Sequence, residues 1–283
     1  MAEQLLLCAE NLFADTQFPD HVGSANEEAT GMEWWHVANG RRYLADRWQS
    51  TTANAEAYVQ CLFDVPRSYN FCAIDRASNH KGYGYDLASS ADSFTSEHQN
   101  FTLTIPSVIG GLPAGALGCV TTEGAWLKTF TEDLNTGIRL TSQAMGAGLV
   151  PQLVGVWVGL AWTPSASVTR HPMMDETFRV TFSEATSPFG WSGRGQRARV
   201  RQGSCTIAFA DLDAVSADEI LLRYHLDLYA AGHPMWLCWR KTDAPWKAML
   251  VACPNDAVID WRYDVDWAFR RQVTIPFMEE SPA

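Results

Sequence analysis

The chain has 283 residues with 21 Lys and Arg against 32 Asp and Glu, a formal net charge of −11, and such an acidic balance excludes binding that draws its affinity from neutralising phosphates. Hydrophobic residues make up 47%, including twelve Trp and thirteen Phe, enough for packed cores, while no apolar run approaches the roughly eighteen residues of a membrane helix. The length predicts two soluble domains, and the acidity falls on the first: residues 1–165 hold 8 basic against 17 acidic side chains, residues 166–283 hold 13 against 15.

Seven cysteines without a C-x-x-C pair read as reduced thiols of a cytoplasmic product rather than a disulfide framework. Leu5-Leu6-Leu7-Cys8 lacks the basic flank and the length of a secretion signal, so no leader is expected. Residues 8–55 mix aromatics with turn formers such as Pro19, Gly23, Gly31 and Asn39-Gly40, which is strand-and-loop material. Next come three short apolar runs, Ala57 to Phe63, Asn70 to Ile74 and Gly82 to Leu87. Each is closed by turn chemistry at Asp64-Val65-Pro66, Arg76 to Asn79 and Ser89 to Asp92, and the expectation is three sequential antiparallel strands. In the first run Tyr58, Gln60 and Leu62 alternate with Val59, Cys61 and Phe63, so one face is buried while the other meets a second layer or water.

Phe101 to Ile105 is a further strand candidate, and it absorbs the Asn100-Phe101-Thr102 sequon as an ordinary strand segment. The Gly110 to Gly115 stretch lacks the Lys-Ser/Thr of a phosphate loop. Gly137 to Thr141 alternates as a strand does, and Gln152 to Trp162 is nearly continuous β-branched and aromatic. A small polar seam, Thr163 to Ser167, marks the domain boundary near Pro164.

The second domain opens with Thr177 to Ser183 and Gln196 to Phe209, separated by a Gly190 to Gly195 turn. Arg194 precedes Arg197, Arg199 and Arg201, whose spacing of two puts them on one strand face, either as a solvated edge or as a docking stripe at a subunit interface. One helix, 217–231, is announced by Ser216 with Glu219 three residues on, a capping box, and is closed by Gly232. Its apolar face is read as Ile220, Leu221, Tyr224 and Leu228. Strands follow at Pro234 to Trp239, Ala248 to Ala252 and Arg271 to Phe277.

Catalytic patterns are missing. The histidines at 21, 36, 80, 98, 171, 225 and 233 have no metal-ligand spacing, and Asp260, Asp264 and Asp266 share their surroundings with Arg262 and read as a salt-bridged surface rather than a calcium loop. Glu27 and Glu28 are adjacent and so face opposite ways on any strand, which does not make a glycosidase pair. Neither cofactor, metal nor enzymatic activity is expected. Loop aromatics with polar neighbours give a softer signal, since sugar rings stack on indoles while side chains bond their hydroxyls. Trp34, Trp35 and Trp48, with Asp46, Asn79 and His80, are the candidate carbohydrate-binding residues.

Several segments together resemble a known family. Asn11-Leu12-Phe13, Ala38 to Arg42, Trp48 to Asn54, Ala73 to His80 and Gly137 to Leu140 are similar to the discoidin-like, or galactose-binding-like, jelly roll in the form found in tail proteins of tailed bacteriophages. Gly232-His233-Pro234-Met235-Trp236 resembles a motif of the second part of such proteins. The resemblance implies a mainly β chain, with a jelly-roll sandwich over 1–165 and a β-rich domain carrying the single helix over 166–283. It further implies a non-catalytic component of a tail tip, distal-tail ring or baseplate hub, located in the virion and joined to other tail proteins and to copies of itself in a ring. The alternative is a lectin-like module that adheres to a host-surface glycan.

Overall fold

The computed structural model describes residues 5–14, 17, 22–37, 47–52, 56–74, 84–96, 98–104, 126–146, 148–164, 173–186, 192–209, 217–239, 241, 248–264 and 270–279, and for several strand segments, among them 98–104, 178–186 and 192–199, the backbone alone. The chain is mainly β, with antiparallel sheets and, among the described residues, a single α-helix. It divides into two compact units, one of Glu10–Ala161 with Cys238–Ala248, the other of Met1–Ala9, Trp162–Leu237 and Met249–Pro282.

In the first unit β2 (Val22–Ala25), β4 (Ala57–Ile74), β7 (Trp126–Ser142), β5 (Gly84–Ser90) and β6 (His98–Thr104) lie side by side in that order, and β9 (Val156–Gly159) pairs with β4. A two-stranded ribbon joins β3 (Trp48–Gln49) to β8 (Gln152–Leu153). The expected turn at Asp64-Val65-Pro66 is a correction: β4 runs on through it as one strand of 18 residues. The register against β7 shifts between Leu62 and Arg67, a bulge that bends a strand without ending it. Pro66 is tolerated because the three residues from Asp64 are exposed and fall where the ladder is interrupted.

The two halves of β4 serve different neighbours, Val59 to Leu62 pairing with β2 and Phe71 to Ile74 with β9. Both halves also pair with β7 in one six-stranded sheet, and the core gathers Ala57, Val59, Cys61 and Phe63 with Cys72, Ile74, Tyr85, Leu87, Ile138, Leu140, Val156 and Val158. These assignments are consistent with the jelly-roll sandwich. Strand order differs from expectation in one respect, because β5 pairs with β7 and not with β4; β7 lies between them in the sheet.

The second unit is built on a seven-stranded sheet ordered β1 (Leu6–Cys8), β12 (Met235–Cys238), β13 (Met249–Ala252), β15 (Arg270–Glu279), β11 (Ser192–Phe209) and β10 (Met173–Thr186), with β14 (Asp260–Asp264) also on β15. Val273, Ile275 and Phe277 of β15 are buried, as are Cys205, Ile207 and Phe209 of β11, and Cys205 faces Ile275 across the ladder.

Helix α1 (Ala217–Ala230) ends as predicted. Gly232 has φ +95°, the Gly232 N–H donates to the Tyr229 carbonyl and the His233 N–H to the Leu228 carbonyl, a pair of bonds that satisfies the last carbonyls of a helix. The Ser216 cap lies outside the described residues. The expected apolar face is a correction, because Ile220 is 59% exposed and Tyr224 37% exposed, while Glu219, Leu222, His225, Leu226 and Tyr229 are buried. Polar groups hold that stripe in place: the Tyr229 hydroxyl donates to the Pro276 carbonyl at 3.0 Å, and Glu219 meets Arg223 at 2.9 Å and Arg271 at 3.1 Å.

Candidate functional site

On the face of the first unit's sheet opposite the core, alternation brings a different set of side chains together. The register aligns Tyr58 with Thr141 and Thr141 with Asp86, and one step along it aligns Gln60 with Arg139 and Arg139 with Ala88. Two rows of side chains therefore cross β4, β7 and β5, and Ser24 of β2, opposite Gln60, extends the second. Asn26, Glu56, Tyr58, Asp86, Ala88, Arg139 and Thr141 line an open groove of about 410 Å³ there.

The lining is held in place by its own bonds. Ser24 accepts from Gln60 Nε2 at 2.9 Å, and Gln60 Oε1 accepts from Arg139 Nε at 2.9 Å. The Arg139 guanidinium carbon lies 4.3 Å over the ring of Tyr58 and 3.9 Å over that of Phe94, so the cation is fixed from two sides by aromatic faces. Asn26 accepts from the Tyr58 N–H at 2.6 Å through Oδ1, while Gln143 Nε2 donates to both oxygens of Asp86 at 3.2 and 3.4 Å. Beyond the groove residues, the turn that presents Phe94 is fixed by Asp92. Its carboxyl is drawn down to about 2 by the Ser96 hydroxyl first, then by the Ser96 N–H and the Ser90 hydroxyl.

Of the carbohydrate candidates read from the sequence, Trp34, Trp35 and Trp48 are among the described residues. Trp48 is fully buried in the core, which removes it from any surface site: its strand pairs with β8 and its indole fills the interior of the sandwich. Trp34 is partly buried against that same core. A Cβ at Gly23 would collide with its ring, and since Ser24 faces the groove, Gly23 and the Trp34 packed on it lie on the opposite side of β2. Trp35 is 47% exposed, set edge-on to Trp34 with centroids 6.4 Å apart and followed by His36 at 5.9 Å. Asp46, Asn79 and His80 lie outside the described residues.

Of the four arginines expected at a subunit interface, Arg201 alone has its side chain among the described residues. Arg201 is buried, donating through Nε and Nη2 to the two oxygens of Glu279 at 3.1 and 3.0 Å. Arg197 falls at a register shift, where Ala198 faces Thr181 and Gln196 faces Phe182, so strict alternation does not run through the three positions. The backbone of β11 contains Arg194, Arg197 and Arg199, whose side chains lie outside the described residues. Ser192 to Gly195, read as part of a turn, is strand. Asp260 and Arg262 form the expected surface ion pair at 2.6 Å, and no cluster of three His, Cys, Asp or Glu suited to a metal occurs among the described residues.

The groove residues were missed by sequence reasoning, although each strand carried a signal. Asp86 lies between buried Tyr85 and Leu87, Arg139 between buried Ile138 and Leu140, and Tyr58 between buried Ala57 and Val59. A polar or amphipathic side chain flanked by buried neighbours marks the outward face of a strand.

No family model matches the chain, and no curated protein matches it. Solved structures similar to it include carbohydrate-binding modules. Chitosan-binding module 1 of a chitosanase/glucanase from Paenibacillus sp. IK-5 aligns at 16% identity and TM-score 0.40, over 53% of this chain and 98% of that one. A Clostridium perfringens module in complex with GalNAc-β-1,3-galactose aligns at 12% and 0.38, over 50% and 96%. The family 32 module of NanJ from the same organism, in complex with galactose, aligns at 14% and 0.37, over 50% and 93%. Likeness at this level assigns no ligand and no residue role here, and it has no bearing on a bacteriophage tail.

Proposed function

We propose that this protein binds carbohydrate, without chemical turnover, in the groove on the outward face of its six-stranded sheet. The observation that carries the reading is the groove's composition: Asp86 and Glu56 as acceptors, Arg139 as a donor, and Asn26 and Thr141 as both, around about 410 Å³ of open space. That size suits a small ligand, and the mixture of donors and acceptors suits the vicinal hydroxyls of a sugar. An apolar ligand would leave these groups desolvated without partners, and a polyphosphate would find one arginine facing two carboxylates. In the setting that the sequence resemblance implies, a bacteriophage tail, the bound sugar would be a host-surface glycan and the protein an adhesion component of the virion. The resemblance also implies a ring of copies, and Arg201, one of the four arginines expected at its interface, is engaged with Glu279.

Isothermal titration against a panel of bacterial-surface and plant oligosaccharides tests the binding. At least one sugar should bind and raise the melting temperature, and both effects should disappear in Thr141→Trp, which fills the groove, with the circular dichroism spectrum unchanged. Silence across the panel would sink the reading. Product release that stops in Asp86→Asn would overturn the absence of turnover, and mass spectrometry of purified particles checks the virion setting separately.

A further inference from the structure

Resting on that reading, we infer that the groove selects saccharides that carry no carboxylate or sulfate, and that Asp86 and Glu56 impose the selection. Three observations converge. Among the described lining residues two carboxylates face one guanidinium, so their summed charge is negative before any ligand arrives. The described cation is already partly engaged: its Nε donates to Gln60 and its guanidinium lies over both Tyr58 and Phe94, which fixes the direction in which its remaining N–H groups donate. The field around the groove has the same sign, since residues 1–165 carry 17 acidic against 8 basic side chains, and a like-charged ligand loses both encounter rate and affinity in such a field.

Asp86 holds the central position in this selection. It stands across from Thr141 in the ladder, is braced by Gln143 Nε2 at 3.2 and 3.4 Å, and accepts from a sugar hydroxyl without having to be reoriented. A uronic acid in the same place would set carboxylate against carboxylate. Glu56 lies at the rim, before the start of β4, beside Asn26, whose Nδ2 donates to the Glu56 carbonyl at 3.4 Å.

The test uses the full chain and three pairs of oligosaccharides matched in stereochemistry and linkage, differing only at C6: glucose and glucuronate, galactose and galacturonate, mannose and mannuronate. Titration calorimetry at low and at physiological salt should show the neutral member of at least one pair binding ten-fold or more tighter than its uronate. The gap should narrow as salt rises and close to less than about three-fold in the double variant Glu56→Gln, Asp86→Asn, conservative changes that keep the shape of the lining. A uronate bound as tightly as its neutral partner, in a manner abolished by Thr141→Trp, overturns the charge rule while leaving carbohydrate binding standing. An unchanged gap in the double variant overturns the assignment to these two residues. If neither member of any pair binds, the underlying reading fails and the charge rule fails with it.

Discussion

Arg201 and Glu279 are joined by two parallel bonds with 11% and 12% of their side chains exposed, and a pair so placed is costly to break from one side. Removing one partner leaves a charge with little water to take its place, so Glu279→Ala should lower stability by about 3 kcal/mol, measurable as a shift of the urea midpoint. Arg201→Glu should be worse, because it sets two carboxylates together; a reversal that left the midpoint unmoved would return Arg201 to the surface. The two residues are 78 positions apart, and nothing in the R-x-R-x-R spacing announces a partner at that distance, so the arginines were legible as a pattern and illegible as a bond. Asp92 gives a second expectation at this scale. Its folded carboxyl titrates near 2 against an ordinary 3.8, so its contribution is complete above about pH 4 and is lost as pH falls toward 2. Asp92→Asn should therefore lower the melting temperature at pH 6 and converge with the parent below pH 2; a constant difference at all pH values would show that the charge is irrelevant.

Helix α1 shows where pattern reading succeeds for an element and where it stops. Its C-terminal end was legible, because Gly232 supplies the left-handed residue that closes it. Its buried face was not, since the stripe contains Glu219 and His225, both fully buried, and polar residues inside a buried stripe flatten the hydrophobic period on which the reading depends. Ile220 and Tyr224 looked inward by composition, yet they lie on the exposed side. Each has a packing consequence: Leu222→Ala should cost about 2–5 kcal/mol, as for a fully buried leucine, whereas Ile220→Ala should stay within about 0.5 kcal/mol. Equal costs in a denaturant titration would mean that Ile220 is covered in solution. The same limit hid the groove. Tyr58, Asp86 and Arg139 were each identifiable as facing outward, but that they meet follows from β7 lying between β4 and β5, and strand order is not written in periodicity.

At the scale of the whole molecule residues 5–9 belong with the unit formed by the second half of the chain. Leu5, Leu6, Leu7, Cys8 and Ala9 are all buried, β1 forms one edge of the seven-stranded sheet beside β12, and Leu7 and Trp162 exchange backbone bonds at 3.0 and 2.8 Å. The Ala9 N–H donates to His225 Nδ1 at 3.3 Å, which links β1 to α1 and requires that nitrogen to be unprotonated. Burying three leucines of this kind stabilises by about 5 kcal/mol in transfer terms alone, and removing β1 also turns β12, paired on its other side with β13, into an open sheet edge. The chain lacking residues 1–9 should therefore lose stability in the unit that contains α1. The groove, whose described lining falls within residues 26–141, should still bind its sugar. Calorimetric scanning reads the first effect as a melting transition lowered or lost, and titration reads the second as an unchanged affinity. Loss of sugar binding together with the transition would show that the groove depends on the β1 sheet, and this division of labour would have to be abandoned.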